Sequence, residues 1–291
     1  MKILISPNIS KESAFTNINI ICKQLNKLGA AIYMHNKLRH FSPNLNIIFN
    51  DDIDFLHDNA DVVIALGGDA TILRSAKQAA IHNKPVLGIN VGRLGFMAGL
   101  EIHEIRHLSQ LFDKNYEIEN RMMLSVNINN SKKKYYALND AVISKGSLSR
   151  IVDITIKCND NMVSEYRADG IIVSTPTGST AYNLSAGGPV IDPKLKCMIM
   201  TPICPHSLFS RSILFHHNDK LIISTEKSIN TEVFLTIDGE MGIKLNENDK
   251  VCISKSVLHA SFIRIKNQPF YDVLNEKLMN RGLQNENSKT N

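Results

Sequence analysis

The stretch Asp61-Val62-Val63-Ile64-Ala65-Leu66-Gly67-Gly68-Asp69 decides the fold. Its first part is a nearly continuous β-branched run, which is typical of a strand buried on both faces of a parallel sheet. Two glycines and an acid follow, and the apolar spacing after them predicts a helix from about Ala70 to His82. Because the buried strand runs directly into a helix, the stretch predicts an α/β domain built from βαβ units.

The same alternation of strand and helix extends to both sides of this stretch. Strands that alternate with helices at this spacing indicate parallel βαβ units. Gly29 stands where a helix C-cap belongs. The predicted strands are Lys2–Ser6, Ala30–Met34 and Pro85–Ile89, and the predicted helices are Glu12–Leu28, Ile53–Asn59 and Ile102–Phe112.

The pattern changes near residue 120, where apolar and polar residues begin to alternate along short segments with short polar connections. Such alternation predicts an antiparallel β domain. Helical spacing returns only near Ser179–Ala186 and in the tail at Phe270–Leu278. We therefore expect an α/β domain over 1–119, a β domain over 120–269, and a C-terminal segment over 270–291 that returns to the first domain. The alternating segments are Met123–Asn129, Tyr136–Ser144, Ile151–Lys157, Leu221–Ser224, Glu232–Ile237 and Lys250–Ser254.

Composition limits the class of protein. A chain of 291 residues with 43% hydrophobic side chains is too apolar for disorder and long enough for about two domains. No apolar run approaches the roughly 18 residues that span a bilayer, and the first residues turn polar too soon for a signal peptide. The five cysteines are odd in number and scattered without a C-x-x-C pair, which favours reduced thiols in a cytoplasmic protein and argues against structural zinc. The net charge of +5 suits anionic small molecules better than nucleic acid or a membrane.

The common nucleotide-binding motifs are missing, since neither a P-loop nor a G-x-G-x-x-G follows a strand. Gly67-Gly68-Asp69 is the first candidate in their place. Parallel sheets bind ligands beyond the carboxyl ends of their strands, and two glycines before a helix let backbone N–H groups approach a phosphate. The alternative is a plain strand-to-helix turn with Asp69 as the N-cap. The residues alone leave both interpretations open.

Two further segments carry candidate binding groups. Asp169–Tyr182 is a short apolar strand that runs into a loop rich in Gly, Ser and Thr, and Gly187-Gly188 follows it. Hydroxyls and exposed N–H groups of such a loop can surround a phosphate or a ribose. Asn139-Asp140 can hydrogen-bond an adenine edge or a ribose, or it can simply form a turn.

Taken together, these residues resemble the NAD kinase family in its bacterial form. The resemblance runs in order from about Ile64 to Asp272. Gly67-Gly68-Asp69 alone is shared with phosphofructokinases and with diacylglycerol and sphingosine kinases, whereas the Gly- and Thr-rich segment is specific. The matching segments are Gly67-Gly68-Asp69, Asn90–Phe96, Asn139-Asp140, Asp169–Tyr182, Ala186–Pro189, Thr201–Leu208 and Asp238-Gly239-Glu240.

The resemblance implies ATP-dependent phosphorylation of the adenosine 2′-hydroxyl of NAD, which gives NADP. It implies an N-terminal Rossmann-like α/β domain, a C-terminal β-sandwich and an active site between them. It also implies a homodimer or homotetramer. Mg²⁺ or another divalent metal arrives with ATP, and we expect no metal bound tightly by the protein.

The resemblance also assigns roles to individual residues. Asp69 matches the general base that accepts the hydroxyl proton, and Gly67, Gly68 and Ala70 admit the phosphates. Arg167 lies at a position associated with the choice between NAD and NADH, and it favours NAD. Glu240 falls near a position that is Gln in some relatives. The positions that match the NAD site are Arg74, Asn139, Asp140, Arg150, Arg167, Asp169, Thr180, Ala181, Tyr182, Asn183, Leu184, Ser185 and Glu240.

One residue departs from the family pattern. The family has Gly-Gly-Asp-Gly, and Ala70 stands in the fourth place. If this position needs a positive φ, alanine costs on the order of 1 kcal/mol; if it needs only its backbone N–H, alanine supplies that group. Two alternatives to an NAD kinase stay open. One is a lipid or sugar kinase that shares Gly67-Gly68-Asp69, and the other is a catalytically idle NAD-binding or regulatory protein, which Ala70 permits.

Overall fold

A computed structural model describes residues 1–10, 14–41, 46–92, 95–146, 150–207, 210–225, 231–240, 242–266 and 269–277. The chain divides into two compact units. The first unit contains Met1–Asn120 and the described residues from Ala260 on, and the second contains Arg121–His259.

The first unit is built of alternating strands and helices. Along the chain these are β1 (Lys2–Pro7), α1 (Ala14–Lys27), β2 (Ala31–His35), a 3₁₀ helix (Asn36–Phe41), β3 (Ile47–Asn50), α2 (Ile53–Asn59), β4 (Val62–Leu66), α3 (Asp69–Ile81), β5 (Val86–Asn90), β6 (Leu100–Glu101), a 3₁₀ helix (Ile102–Leu108) and α4 (Ser109–Phe112).

The strands of this unit form a parallel sheet in the order β5-β4-β1-β2-β3, with the short β6 paired to β5. Every residue of β4 and β5 is buried, as their apolar sequences predict. Helix α1 buries Ile18, Ile21 and Leu25 in the same core as the sheet. It ends where its glycine predicts, because Gly29 has φ +75° and Ala30 N–H donates to Leu25 O at 3.0 Å.

The second unit contains the remaining strands. The strands are β7 (Glu117–Ile128, which begins in the first unit), β8 (Tyr135–Ala137), β9 (Asp140–Lys145), β10 (Val152–Cys158), β11 (Asn161–Ala168), β12 (Gly170–Ser174), β13 (Cys197–Ile203), β14 (Ile213–His216), β15 (Lys220–Ser224), β16 (Val233–Ile237), β17 (Ile243–Leu245) and β18 (Lys250–Arg264). Two short helices lie between β12 and β13, a 3₁₀ helix (Thr177–Thr180) and α5 (Tyr182–Ser185).

These strands form two sheets over one apolar core. One sheet has the order β14-β13-β12-β9-β16-β17, and every pairing in it is antiparallel. The other contains β11-β10-β15-β18, with β7 paired to β18 and β8 paired to β7. Inward residues of both sheets, such as Ile143 and Ile171 of the first and Ile154 and Ile253 of the second, share one core cluster. The predicted fold class, an α/β domain followed by a β-sandwich, is confirmed.

Strand β18 carries the chain back to the first unit. Its residues 260–264 belong to that unit, where Phe262 pairs in parallel with Val86 of β5. A helix over 270–277, here called α6, follows. The second boundary thus lies at 259/260, ten residues before the expected 269/270, because one uninterrupted strand crosses it and its alternation gives no signal of the change.

Two local expectations were wrong, and one strand was missed. The predicted helix Ile102–Phe112 is 3₁₀ over Ile102–Leu108 and α-helical only over Ser109–Phe112. The helical signal near Ser179–Ala186 is a 3₁₀ turn and the four-residue α5. Strand β3 was not predicted, because it has only four residues and only the first three of them are apolar. No helix of the described chain is long and apolar enough to cross a membrane.

Candidate active site

The turn between β4 and α3 begins with a glycine that the packing requires. Gly67 is buried and continues the sheet, since its N–H donates to Ile89 O at 3.0 Å. A Cβ on Gly67 would lie 2.6 Å from the Oγ1 atom of Thr71. Only glycine therefore lets the first turn of α3 close over the end of β4.

The second glycine is different, because the fold does not require it. Gly68 is the N-cap of α3 with φ −88° and ψ −177°, extended values that any residue adopts. A Cβ on Gly68 would meet nothing within 4 Å. The first N–H groups of an α-helix have no intrahelical partner. Gly68 thus leaves open space beside the N-terminal end of α3, where an anion can approach the backbone.

Asp69 is the first residue of α3 and not its N-cap, so the alternative interpretation of this residue as a cap was wrong. Its Oδ2 atom accepts from Phe96 N–H at 3.0 Å, and its Oδ1 atom accepts from Met97 N–H at 3.2 Å. The ammonium of Lys277 lies 3.2 Å from Oδ2. The side chain of Asp69 is still 32% exposed, so a ligand can reach it.

The fourth residue of the motif is not strained. Ala70 lies in the first turn of α3, and it is not among the described residues with positive φ. Alanine therefore carries no cost from a positive φ here, and its use of the backbone N–H stays a prediction. Arg74 follows on the same helix and is exposed.

Asn90, which the family pattern includes, has a structural role. Its amide donates to both carboxylate oxygens of Glu101, at 3.0 and 2.8 Å, and its Oδ1 accepts from Gly92 N–H at 3.2 Å. Burial raises the pKa of Glu101, and the Asn90 hydrogen bonds oppose that rise. Asn90 therefore closes the turn after β5.

In the second unit, one carboxylate holds the turn that contains Asn139 and Asp140. Asp238 accepts from the N–H groups of Leu138, Asn139 and Asp140 at 3.0, 2.7 and 3.0 Å. Its own N–H donates to Asp140 O at 2.9 Å, and its φ is +51°, a region that Asp tolerates. The Oδ1 atom of Asn139 is buried without a partner among the described residues.

The hydroxyl-rich loop packs against this turn. Thr175 N–H donates to Asn139 O at 2.8 Å, and a Cβ on Gly178 would lie 2.2 Å from the same oxygen. The Oγ1 of Thr175 donates to Leu138 O at 2.6 Å, and the Oγ of Ser179 donates to Ile191 O at 3.1 Å. These buried hydroxyls serve the fold, so the idea that they surround a phosphate does not apply to them.

Asn183 also points into the protein. It is fully buried, and its amide donates to Ser179 O at 3.2 Å and to Pro189 O at 3.0 Å. Its Oδ1 accepts from Thr201 Oγ1 at 2.7 Å. The side chain therefore joins both ends of the loop and holds the neighbouring residues in place.

The other candidate residues are at least partly accessible. Arg167 pairs with Asp153 at 3.2 Å, and Asp169 pairs with Lys145 at 2.7 Å. Neither pair includes a second candidate residue. Thr180, Ala181 and Leu184 are half-buried, whereas Tyr182, Ser185, Arg150 and Glu240 are exposed.

The described residues contain no cluster of three or more His, Cys, Asp or Glu side chains that could hold a metal ion.

Comparisons with known proteins identify the family of this chain. The family model described as the ATP-NAD kinase N-terminal domain matches residues 3–117, and the ATP-NAD kinase C-terminal domain matches 138–265. The NAD kinase of Natranaerobius thermophilus is 36% identical over 276 residues, which cover 94% of this chain and 96% of that protein. The chain belongs to the NAD kinase family.

Solved NAD kinase structures share the fold. A yeast NADH kinase complexed with NADH superposes with a TM-score of 0.86 at 23% identity, over 96% of this chain and 87% of that one. An NAD kinase from Archaeoglobus fulgidus in complex with ATP gives 0.74 at 24% identity, over 96% and 99%.

Within this NAD kinase family member, sequence reasoning missed two contacts. The position of Asp238 before Gly239 was a usable signal of a turn, but nothing in the sequence indicates that its carboxylate binds Asn139 N–H, 99 residues earlier. Lys277 carries no local signal at all, because its partner Asp69 lies 208 residues away in the chain.

Proposed function

We propose that the chain transfers the γ-phosphoryl group of ATP to the 2′-hydroxyl of the adenosine ribose of NAD, giving NADP and ADP. The observation that carries this proposal is the Asp69 carboxylate, which two backbone N–H groups hold after a buried parallel strand. It stands in a chain that both NAD kinase family models match. A fixed, accessible carboxylate is the group that a ribose hydroxyl needs to become a nucleophile.

In this proposal Asp69 is the general base. Its carboxylate accepts the 2′-hydroxyl proton as the new O–P bond forms and the bond from the γ-phosphorus to the β–γ bridging oxygen breaks. General-base catalysis typically contributes about 10²–10⁴-fold in rate. Most of the remaining acceleration in phosphoryl transfer comes from positioning and from neutralising the phosphates.

We assign the donor, as its Mg²⁺ complex, to the first turn of α3. The open space beside Gly68 supports this assignment, because phosphate oxygens can approach backbone N–H groups there and meet the positive end of the helix dipole. Gly67 and Ala70 shape the same turn, and the exposed Arg74 supplies a further positive charge on α3.

We assign the adenosine of NAD to the turn at Asn139 and Asp140. The half-buried side chain of Asn139 supports this, because an amide carries both donors and an acceptor for an adenine edge. The exposed or half-buried residues of the following loop, Thr180, Ala181, Tyr182, Leu184 and Ser185, are proposed to contact the dinucleotide, with Asn183 as their internal support. Arg150, Arg167, Asp169 and Glu240 complete the proposed acceptor residues.

The match of residues 138–265 to the NAD kinase C-terminal domain favours NAD over a lipid or sugar acceptor. The helical conformation of Ala70 weakens the case for an idle NAD-binding protein, which depended on that residue being strained.

We also propose that the protein is a cytoplasmic homodimer or homotetramer. The resemblance to the NAD kinase family, which implies a homo-oligomer, supports self-association. Light scattering coupled to size-exclusion chromatography measures the assembly directly, and a monomer at micromolar concentration would refute this part.

A matrix of donors and acceptors tests the function. The purified protein is incubated with Mg²⁺, with ATP or polyphosphate as donor and NAD or NADH as acceptor, and NADP or NADPH is measured with a dehydrogenase specific for the phosphorylated cofactor. We expect NADP from ATP and NAD. If no combination yields a phosphorylated dinucleotide, the proposed function is wrong.

A further inference from the structure

The carboxylate of Asp69 has an uneven set of partners. Oδ2 receives two donors, the N–H of Phe96 and the ammonium of Lys277, whereas Oδ1 receives only the N–H of Met97. A carboxylate offers about two acceptor positions on each oxygen. Among the described residues nothing else donates to Asp69, so one position remains, and it is on Oδ1.

Packing around Lys277 holds its ammonium beside Oδ2 of Asp69. It lies at the described end of α6, its side chain is 20% exposed, and its ammonium stands 3.9 Å from the centre of the Phe96 ring. Phe270, at the start of α6, lies 6.0 Å from the same ring, and Val273 between them is buried. The ring of Phe96 thus contacts residues at both ends of α6, and the backbone N–H of Phe96 donates to the carboxylate that Lys277 also contacts.

The loop that carries Phe96 and Met97 is itself anchored. Arg264 donates to Met97 O at 3.3 Å and to Ala98 O at 2.8 Å, and Glu119 holds its guanidinium at 2.8 Å. A Cβ on Gly95 would lie 2.2 Å from Asp69 Oδ1, so the loop passes directly against the carboxylate. Lys277 is therefore the one side chain that donates to Asp69 among the described residues, and the other two donors are backbone groups of an anchored loop.

We propose that Lys277 is a positioning residue for phosphoryl transfer, which fixes the rotation of the Asp69 carboxylate so that Oδ1 receives the hydroxyl proton. This inference rests on the proposed function. The proton passes from the 2′-hydroxyl to Oδ1, the hydroxyl oxygen bonds to the γ-phosphorus, and ADP leaves with the electrons of the broken P–O bond. Lys277 keeps all its protons and holds Oδ2 throughout.

The substitution Lys277→Met tests this role, because it keeps a long apolar side chain beside Phe96 and removes the ammonium. Misplacing a reacting group by about 1 Å can cost on the order of 10²-fold in rate. We expect kcat to fall by about 10–100-fold while KM for NAD changes less than about twofold. The conservative Lys277→Arg keeps a donor and should retain kcat within about fivefold.

Two controls separate positioning from a merely structural role. Lys23→Met makes the same chemical change at an exposed lysine of α1 and should leave kcat unchanged. In Lys277→Ala, added propylammonium should restore part of the lost rate, whereas sodium chloride at equal ionic strength should not. A structural defect would not respond to a small amine.

The outcomes are distinct. If the wild-type protein forms no NADP, the proposed function fails. If the wild-type is active and Lys277→Met keeps kcat within threefold, the positioning role is refuted while the function stands. If Lys277→Met loses its cooperative melting transition, or if neither arginine nor propylammonium restores turnover, Lys277 is structural and the inference is wrong.

Discussion

The substitution Gly68→Ala separates what the fold needs from what a donor nucleotide needs. The added methyl group meets nothing within 4 Å, and the backbone has an ordinary φ of −88°. Alanine is a poorer N-cap than glycine by up to about 1 kcal/mol, and it lowers the entropy of the unfolded chain by a comparable amount, about 0.4–1 kcal/mol. We therefore expect the free energy of unfolding to stay within about 1 kcal/mol of the wild-type value.

The effect on the donor should be much larger. The methyl group would occupy the space through which phosphate oxygens reach the first N–H groups of α3. A hydrogen bond to a charged group contributes about 1.5–3 kcal/mol, and each 1.4 kcal/mol is tenfold in affinity. The loss of one such contact should therefore lower kcat/KM for ATP by about 10–100-fold, with KM for NAD nearly unchanged.

The assay is steady-state NADP formation with varied Mg·ATP at saturating NAD, paired with thermal unfolding. Gly67→Ala is the matched control, because its methyl group would lie 2.6 Å from Thr71 Oγ1 and such overpacking typically costs about 1–3 kcal/mol. It should unfold at lower temperature, whereas Gly68→Ala should not. If Gly68→Ala keeps kcat/KM for ATP within threefold, the reasoning about the donor is refuted.

Three further predictions concern single residues. Burial lowers the pKa of His57 in the folded protein, so the unfolded state binds more protons as the pH falls below 6.5. The free energy of unfolding should therefore decrease as the pH drops from 6.5, by at most roughly 1.4 kcal/mol per pH unit. Urea unfolding at pH 7.5 and 5.5 measures this change, and the prediction is contradicted if His57→Gln does not reduce it. Asp238→Ala removes the acceptor of three backbone N–H groups and should cost about 2–4 kcal/mol and raise KM for NAD; an unchanged melting temperature would show that the turn does not depend on it. Ala70→Gly should change kcat by less than about threefold and lower stability by about 0.5–1 kcal/mol, because the position is helical; a large gain in turnover would show that glycine geometry matters there.

The elements with strong periodicity could be predicted from the sequence, because their local signals and their packing agree. Helix α2 was expected at Ile53–Asn59 and occurs there, with Asp52 as its N-cap. β4 and its turn into α3 were equally clear. In contrast, β3 is recognisable only through its pairing with β2, because a run of three apolar residues is too short to indicate a strand by itself.

The candidate site shows the same limit. The types of residue at the candidate positions could be anticipated, but the atoms that their side chains bind could not. In the sequence, the hydroxyl of Thr175 is a candidate ligand group. In the structure it donates a hydrogen bond to Leu138 O, because the loop packs against the Asn139 turn. The ammonium of Lys277 reaches Asp69 only because β18 returns the chain to the first unit, a consequence of topology and not of local pattern.

The role of Asp69 is tested most directly by Asp69→Asn, which keeps the size of the side chain and removes its basicity. Turnover and NAD binding are measured on the same preparation, by NADP formation and by isothermal titration calorimetry. We expect kcat to fall by at least about 10²-fold, as the loss of a general base predicts, while the dissociation constant for NAD stays within about threefold. NADP formation within tenfold of the wild-type rate would contradict the assignment of Asp69 as the base.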